Sequence, residues 1–174
     1  FTPNTQRKCS KIGRAAVRNY IYRIFLILIV LIMHNTVFKF FAISGIRPDL
    51  PLIITLFAAF KYGSMEGQVT GFAAGLGMDI FSGHLFGVNA FTKTVVGFVS
   101  GAFRKRIYSE NALVILIYIF IASFFNGIIF IILNKIFMPQ SLAFWDYIVK
   151  ILLIEIVYNC VVGVILFYIF DKLD

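Results

Sequence analysis

Between Ala112 and Leu133 the chain carries no charged residue, and Tyr118, Ser123 and Asn126 are the only side chains there that bear strong hydrogen-bonding groups. Wound as a helix at 1.5 Å per residue, such a stretch reaches about 30 Å, the thickness of the hydrocarbon core of a bilayer. The rest of the chain lives in the same solvent. Of 174 residues, 60% are hydrophobic and 14% charged, and the mean hydropathy is +0.92; soluble domains are roughly one quarter charged. An all-α integral membrane protein is expected, with no length left for a sizeable soluble domain.

Five more apolar segments accompany 112–134, at about 21–41, 49–61, 64–81, 86–103 and 147–170. The segment at 49–61 is short enough to be re-entrant, and charge decides how to count it. Taken as a crossing, it puts the N-terminal arm, Lys61, Arg104, Lys105, Arg106 and Lys172 on one side. Lys39, Arg47, Lys135 and Lys150 then fall on the other, and Lys93 lies inside a span. Basic residues concentrate on the cytoplasmic side, so the expectation is six transmembrane helices with both termini cytoplasmic. Residues 1–20 form a basic arm and 21–171 a single transmembrane domain. Arg7, Lys11, Arg14 and Arg18 share a narrow arc of the arm; they mark the cytoplasmic side, where anionic lipid could engage them. The net charge of +8 is explained by topology and does not indicate nucleic acid.

Polar residues within the spans fall in stripes. Gly67, Gly71, Gly75 and Asp79 recur every four residues, and so do Asn89, Lys93, Gly97 and Gly101. On helices these spacings give two faces bare enough for close backbone packing. An antiparallel hairpin about Ser82-Gly83-His84 would set Asp79 level with the Asn89–Lys93 turn, and Gly71 and Gly75 level with Gly97 and Gly101. Asp79 then either pairs with Lys93 or hydrogen-bonds Asn89, since charges inside a membrane are commonly paired. Glu155, Asn159 and Gly163 form a further stripe, expected to face protein because a carboxylate facing lipid is costly.

Chemistry has no recognisable home. The chain contains no Walker loop, HExxH, CxxC or nucleophile elbow. Cys9 and Cys160 read as unrelated thiols, and His84 with Asp79 and Glu155 falls short of a supported metal site. No catalytic residue, cofactor or metal is expected.

One pattern is more specific. Arg47-Pro48-Asp49, an apolar segment, Lys61-Tyr62-Gly63, Glu66-Gly67, Gly71, Gly75, Asp79, Ser82-Gly83, Gly87, Asn89-Ala90, Gly97, Gly101 and Arg104-Lys105-Arg106 resemble the MreD family of bacterial rod shape-determining membrane proteins. Lys93 departs from the pattern, which leads one to expect an uncharged residue there. The resemblance implies a non-enzymatic, multi-pass protein of the bacterial cytoplasmic membrane. Its implied partner is MreC, and through MreC the actin-like MreB, RodA and a class B penicillin-binding transpeptidase of lateral peptidoglycan synthesis. It also implies a bundle like the substrate-binding (S) components of energy-coupling-factor transporters, and hence a rival function, binding a vitamin-like solute.

Overall fold

The computed structural model describes residues 46–82, 85–104, 112–137 and 152–173, which form five helices. These are α1 (Leu50–Tyr62), α2 (Ser64–Ser82), α3 (Val88–Ala102), α4 (Ala112–Phe137) and α5 (Leu153–Leu173). The basic arm at 1–20 and the segment at 21–41 lie outside the described residues.

Local chemistry sets the helix boundaries. Asp49 caps α1, its Oδ1 accepting the Leu52 N–H at 3.0 Å, and Pro51 fits the first turn, where an N–H would have no partner. At the other end the Gly63 N–H closes on the Ala59 carbonyl at 3.0 Å. Gly63 has φ +101, a left-handed value suited to glycine. This single residue separates α1 from α2, so the chain reverses there and the two helices pack together. Gly87, with φ +96, makes the corresponding turn into α3.

The core lies around α1. Leu52, Ile53, Leu56 and Ala59 are completely buried, and α1 touches each of the other four helices. A helix apolar on every side must be covered on every side; here protein supplies the cover. Phe57 and Phe60 of α1 pack edge-on against Phe167 of α5, and Tyr118 of α4 completes the aromatic cluster. The Tyr118 hydroxyl donates to the Leu56 carbonyl at 3.2 Å.

Two expectations are corrected. The described residues do not supply the six transmembrane helices of an S-component-like bundle: they form five helices, and α4 is the one both long and apolar enough to cross a membrane. The causes differ from helix to helix. At 13 and 15 residues, α1 and α3 reach only about 20 Å. Helix α2 has 19 residues, but its glycines together with Glu66, Gln68, Thr70 and Asp79 dilute its hydropathy. The apolar part of α5 stops at Ile169, ahead of Asp171 and Lys172.

The second correction is the register of the α2–α3 pair. A Cβ on Gly67 would meet the Gly97 carbonyl, one on Gly71 the Lys93 carbonyl, and one on Gly75 the Asn89–Ala90 backbone. Gly97 thus stands against Gly67 where Gly75 was expected, a shift of about two turns. The turn is the reason: α3 starts at Val88, directly after Gly87, so Asp79 meets the first amides of α3 and does not reach the Lys93 level.

Candidate functional site

Asp79 is buried and accepts four hydrogen bonds. The Gly87 and Ala90 N–H groups donate to Oδ2, both at 3.0 Å, and the Asn89 N–H and Nδ2 donate to Oδ1 at 3.1 and 3.0 Å. The first amides of a helix have no partner within it and carry a partial positive charge. Asp79 therefore caps α3 from the neighbouring helix. Its carboxylate is fully occupied by this task.

Lys93 finds its counter-ion elsewhere. Only 1% exposed, it places Nζ 2.7 Å from Asp49 Oδ2 and donates to Asn89 Oδ1 at 3.3 Å. Asp49 thus caps α1 through Oδ1 and holds Lys93 of α3 through Oδ2. Its own N–H donates to Asn159 Oδ1 of α5 at 2.7 Å, and Asn159 Nδ2 donates to Ser123 Oγ of α4 at 3.2 Å. A continuous polar chain results, from Ser123 through Asn159, Asp49, Lys93 and Asn89 to Asp79, with at least one member on each described helix or at its start. Glu155 stands one turn from Asn159 on α5, half-buried and within electrostatic reach of both Asp49 and Lys93. A burial this polar is tolerated only when its members satisfy one another. Among the described residues, Asn126 Oδ1 is the one buried side-chain acceptor left without a partner.

Beside this chain lies the bare face between α2 and α3. At Gly67, Gly71, Gly75, Gly97 and Gly101 an added Cβ would run into backbone of the facing helix or of the α1–α2 turn. Thr55 of α1 also stands against Gly71 and Gly97, so three helices converge on the bare surface. Small residues let backbones approach this closely.

The other expected residues are dispersed. Arg47 is half-buried ahead of buried Pro48 and Asp49, and Glu66 is half-buried in the first turn of α2. Arg104 follows α3, its guanidinium near Gly63. Lys105 and Arg106, like Arg7, Lys11, Arg14 and Arg18, lie outside the described residues. No group of three or more His, Cys, Asp or Glu among the described residues could hold a metal ion.

An apolar groove of about 640 Å³ runs between α3 and α4, lined on one side by Val95, Val99 and Phe103 and on the other by Val114, Ile121 and Ile129. It is separate from the polar chain.

A protein-family model described as rod shape-determining protein MreD matches residues 17–173. The chain belongs to the MreD family. No curated protein and no solved structure matches it. Membership makes this a membrane protein of bacterial rod-shape determination, from a family without catalytic activity. In this MreD chain Asp49 of the Arg47-Pro48-Asp49 motif joins α1, α3 and α5, and Lys93 is its ion-pair partner.

Sequence reasoning placed Asp49 in a motif without finding what it holds. The local signal was there, since Asp followed by Leu-Pro is an N-terminal capping arrangement. Ser123 was visible as an interruption of an apolar run, but its bond to Asn159 spans 36 positions and no periodicity within one segment reports it.

Proposed function

We propose that this MreD protein acts by binding, as a scaffold that receives the transmembrane anchor of MreC and so helps to organise lateral peptidoglycan synthesis. One observation carries the reading: the polar groups turn inward and bind one another, while apolar side chains cover the outward faces. Met65, Val69 and Phe72 are exposed on α2, Phe91 and Phe98 on α3, and Val157, Val161 and Ile165 on α5. Among the described residues Asp49, Asp79 and Lys93 are occupied in internal packing, whereas broad apolar helix faces suit another helix. MreB, RodA and a class B penicillin-binding transpeptidase would be reached through MreC.

Against the solute-binding alternative stands the lining of the α3–α4 groove, since a vitamin-like ligand wants a few convergent polar groups. Depletion of the protein in a rod-shaped host, with affinity capture of MreC, tests the proposal. Rounding of the cells and recovery of MreC with the tagged protein are expected. Retained rod shape, with solute uptake that depends on this protein and an energising ATPase, would replace the scaffold with a transporter subunit.

A further inference from the structure

Glu155 is the carboxylate that the polar chain leaves out. It is half-buried on α5, and among the described residues it takes part in no hydrogen bond or ion pair. The other two acids of the bundle are provided for, Asp79 by four N–H groups and Asp49 by Lys93 Nζ at 2.7 Å. Both members of that ion pair act on Glu155 from a distance, Asp49 repelling its ionised form and Lys93 attracting it. Arg47, at the approach to α1, forms no ion pair with it. From α4 it meets no charge, since none lies between Ala112 and Leu133, and the Tyr118 hydroxyl is engaged with Leu56. On α5 itself the neighbouring titratable groups are Tyr158 and Cys160, the latter with its Sγ turned to the Leu116 carbonyl. Two carboxylates thus share one cation that only the first of them touches. A charge left uncompensated among apolar helices is costly.

A second unsatisfied group stands at the same level. Helices α4 and α5 run antiparallel: Ile119 packs on Gly163, Ser123 bonds Asn159, and Leu152 fills the space at Gly127. One turn along from the Ser123–Asn159 bond, forward on α4 and back on α5, come Asn126 and Glu155. Asn126 is 5% exposed, and its Oδ1 has no partner. An orphaned acceptor needs a donor. An ionised carboxylate has none to give, whereas a neutral carboxyl carries one O–H. A single proton therefore removes the uncompensated charge and supplies the missing bond. We propose that Glu155 is a proton-binding site of the folded bundle, neutral at physiological pH, with its O–H directed to Asn126 Oδ1. The site is independent of MreC binding. A solvated glutamate is ionised above about pH 4.3, so folding takes up a proton, and stability falls as the pH rises until Glu155 itself ionises in the folded state.

The test is infrared spectroscopy of the full-length protein in lipid vesicles, with isotopic carbon in the glutamate side-chain carboxyls. Glu66 and Glu110 are the other glutamates, so a background of Glu66→Gln with Glu110→Gln leaves Glu155 as the one labelled acid. At neutral pH the label should appear in the carbonyl band of a protonated carboxyl, and this reading needs no substitution at Glu155. The band should vanish in Glu155→Gln and move to higher frequency in Asn126→Ala, where its acceptor is gone. A label present only as ionised carboxylate at neutral pH would overturn the proposal, and a band unmoved in Asn126→Ala would overturn Asn126 as the acceptor. Loss of the band on adding sodium or potassium at constant pH would give the site to a metal cation and overturn the proton. Equilibrium unfolding in mixed micelles gives a second reading. From about pH 5 to the pH at which the band disappears, the unfolding constant of the wild type should rise about tenfold more per pH unit than that of Glu155→Gln, as one proton taken up on folding requires. Parallel pH dependences of the two proteins would overturn the linkage.

Discussion

A single residue, Asp49, carries three separate obligations, two through its carboxylate and one through its backbone N–H, and the two carboxylate contacts make different substitutions informative. Lys93→Met removes the cation and leaves Asp49 charged inside the bundle, which costs about 3–5 kcal/mol when a buried pair is broken from one side. Asp49→Asn keeps an oxygen for the Leu52 amide while removing the charge. The double variant Asp49→Asn with Lys93→Met should therefore melt higher in detergent than Lys93→Met alone; a lower melting point would mean that the ion pair is not what the lysine requires. Asp79 is expected to behave differently, since its partners are neutral amides and no counter-ion is stranded by its loss. Asp79→Ala should lower stability by about 1–3 kcal/mol, the cost of leaving buried donors unsatisfied. Asp79→Asn, which still accepts, should recover part of it. Chemical denaturation in mixed micelles, following helix content, measures both.

At the level of helices, the glycine stripe makes a position-specific prediction. Gly71→Leu and Gly75→Leu place a side chain where the backbone of α3 already stands and should sharply reduce the yield of folded protein. Ala73→Leu, on the exposed side of the same helix, should be tolerated. Comparable yields for all three, read by size-exclusion chromatography in detergent, would contradict the α2–α3 interface described above. That stripe was legible because a four-residue repeat within one segment reports a helix face directly. The register between the two stripes was not, because it depends on where α3 starts, and with left-handed Gly87 leading directly into α3 the alignment moves by about two turns. The distribution of basic residues counted the segment at 49–61 as a crossing, and its apolar composition did not argue otherwise. An apolar run signals removal from water, and it reads the same whether lipid or protein provides the shelter. In α1 it is protein, which is why 13 residues suffice.

At the scale of the molecule, α4 is the described helix whose length and composition match a bilayer. Cysteines introduced at Leu113 and Phe137, both exposed, should react with an impermeant maleimide from opposite sides of a sealed membrane. Reaction of both from one side would rule out a crossing by α4. The polar chain bears on another property of the whole molecule, the order in which it can be completed. Asp49 and Asn159 are separated by 110 positions. At about 5–20 residues per second, synthesis brings Asn159 out roughly 5–20 s after Asp49. During that interval the Asp49 amide lacks its final acceptor, and α1 lacks the α5 wall that covers Phe57 and Phe60. The newborn chain is thus an open-sided intermediate whose apolar helix α1 must be shielded by the insertion machinery or by lipid. A ribosome stalled just before α5 would hold that intermediate, so chaperone or insertase cross-links to Phe57 should persist at the stall and vanish on release.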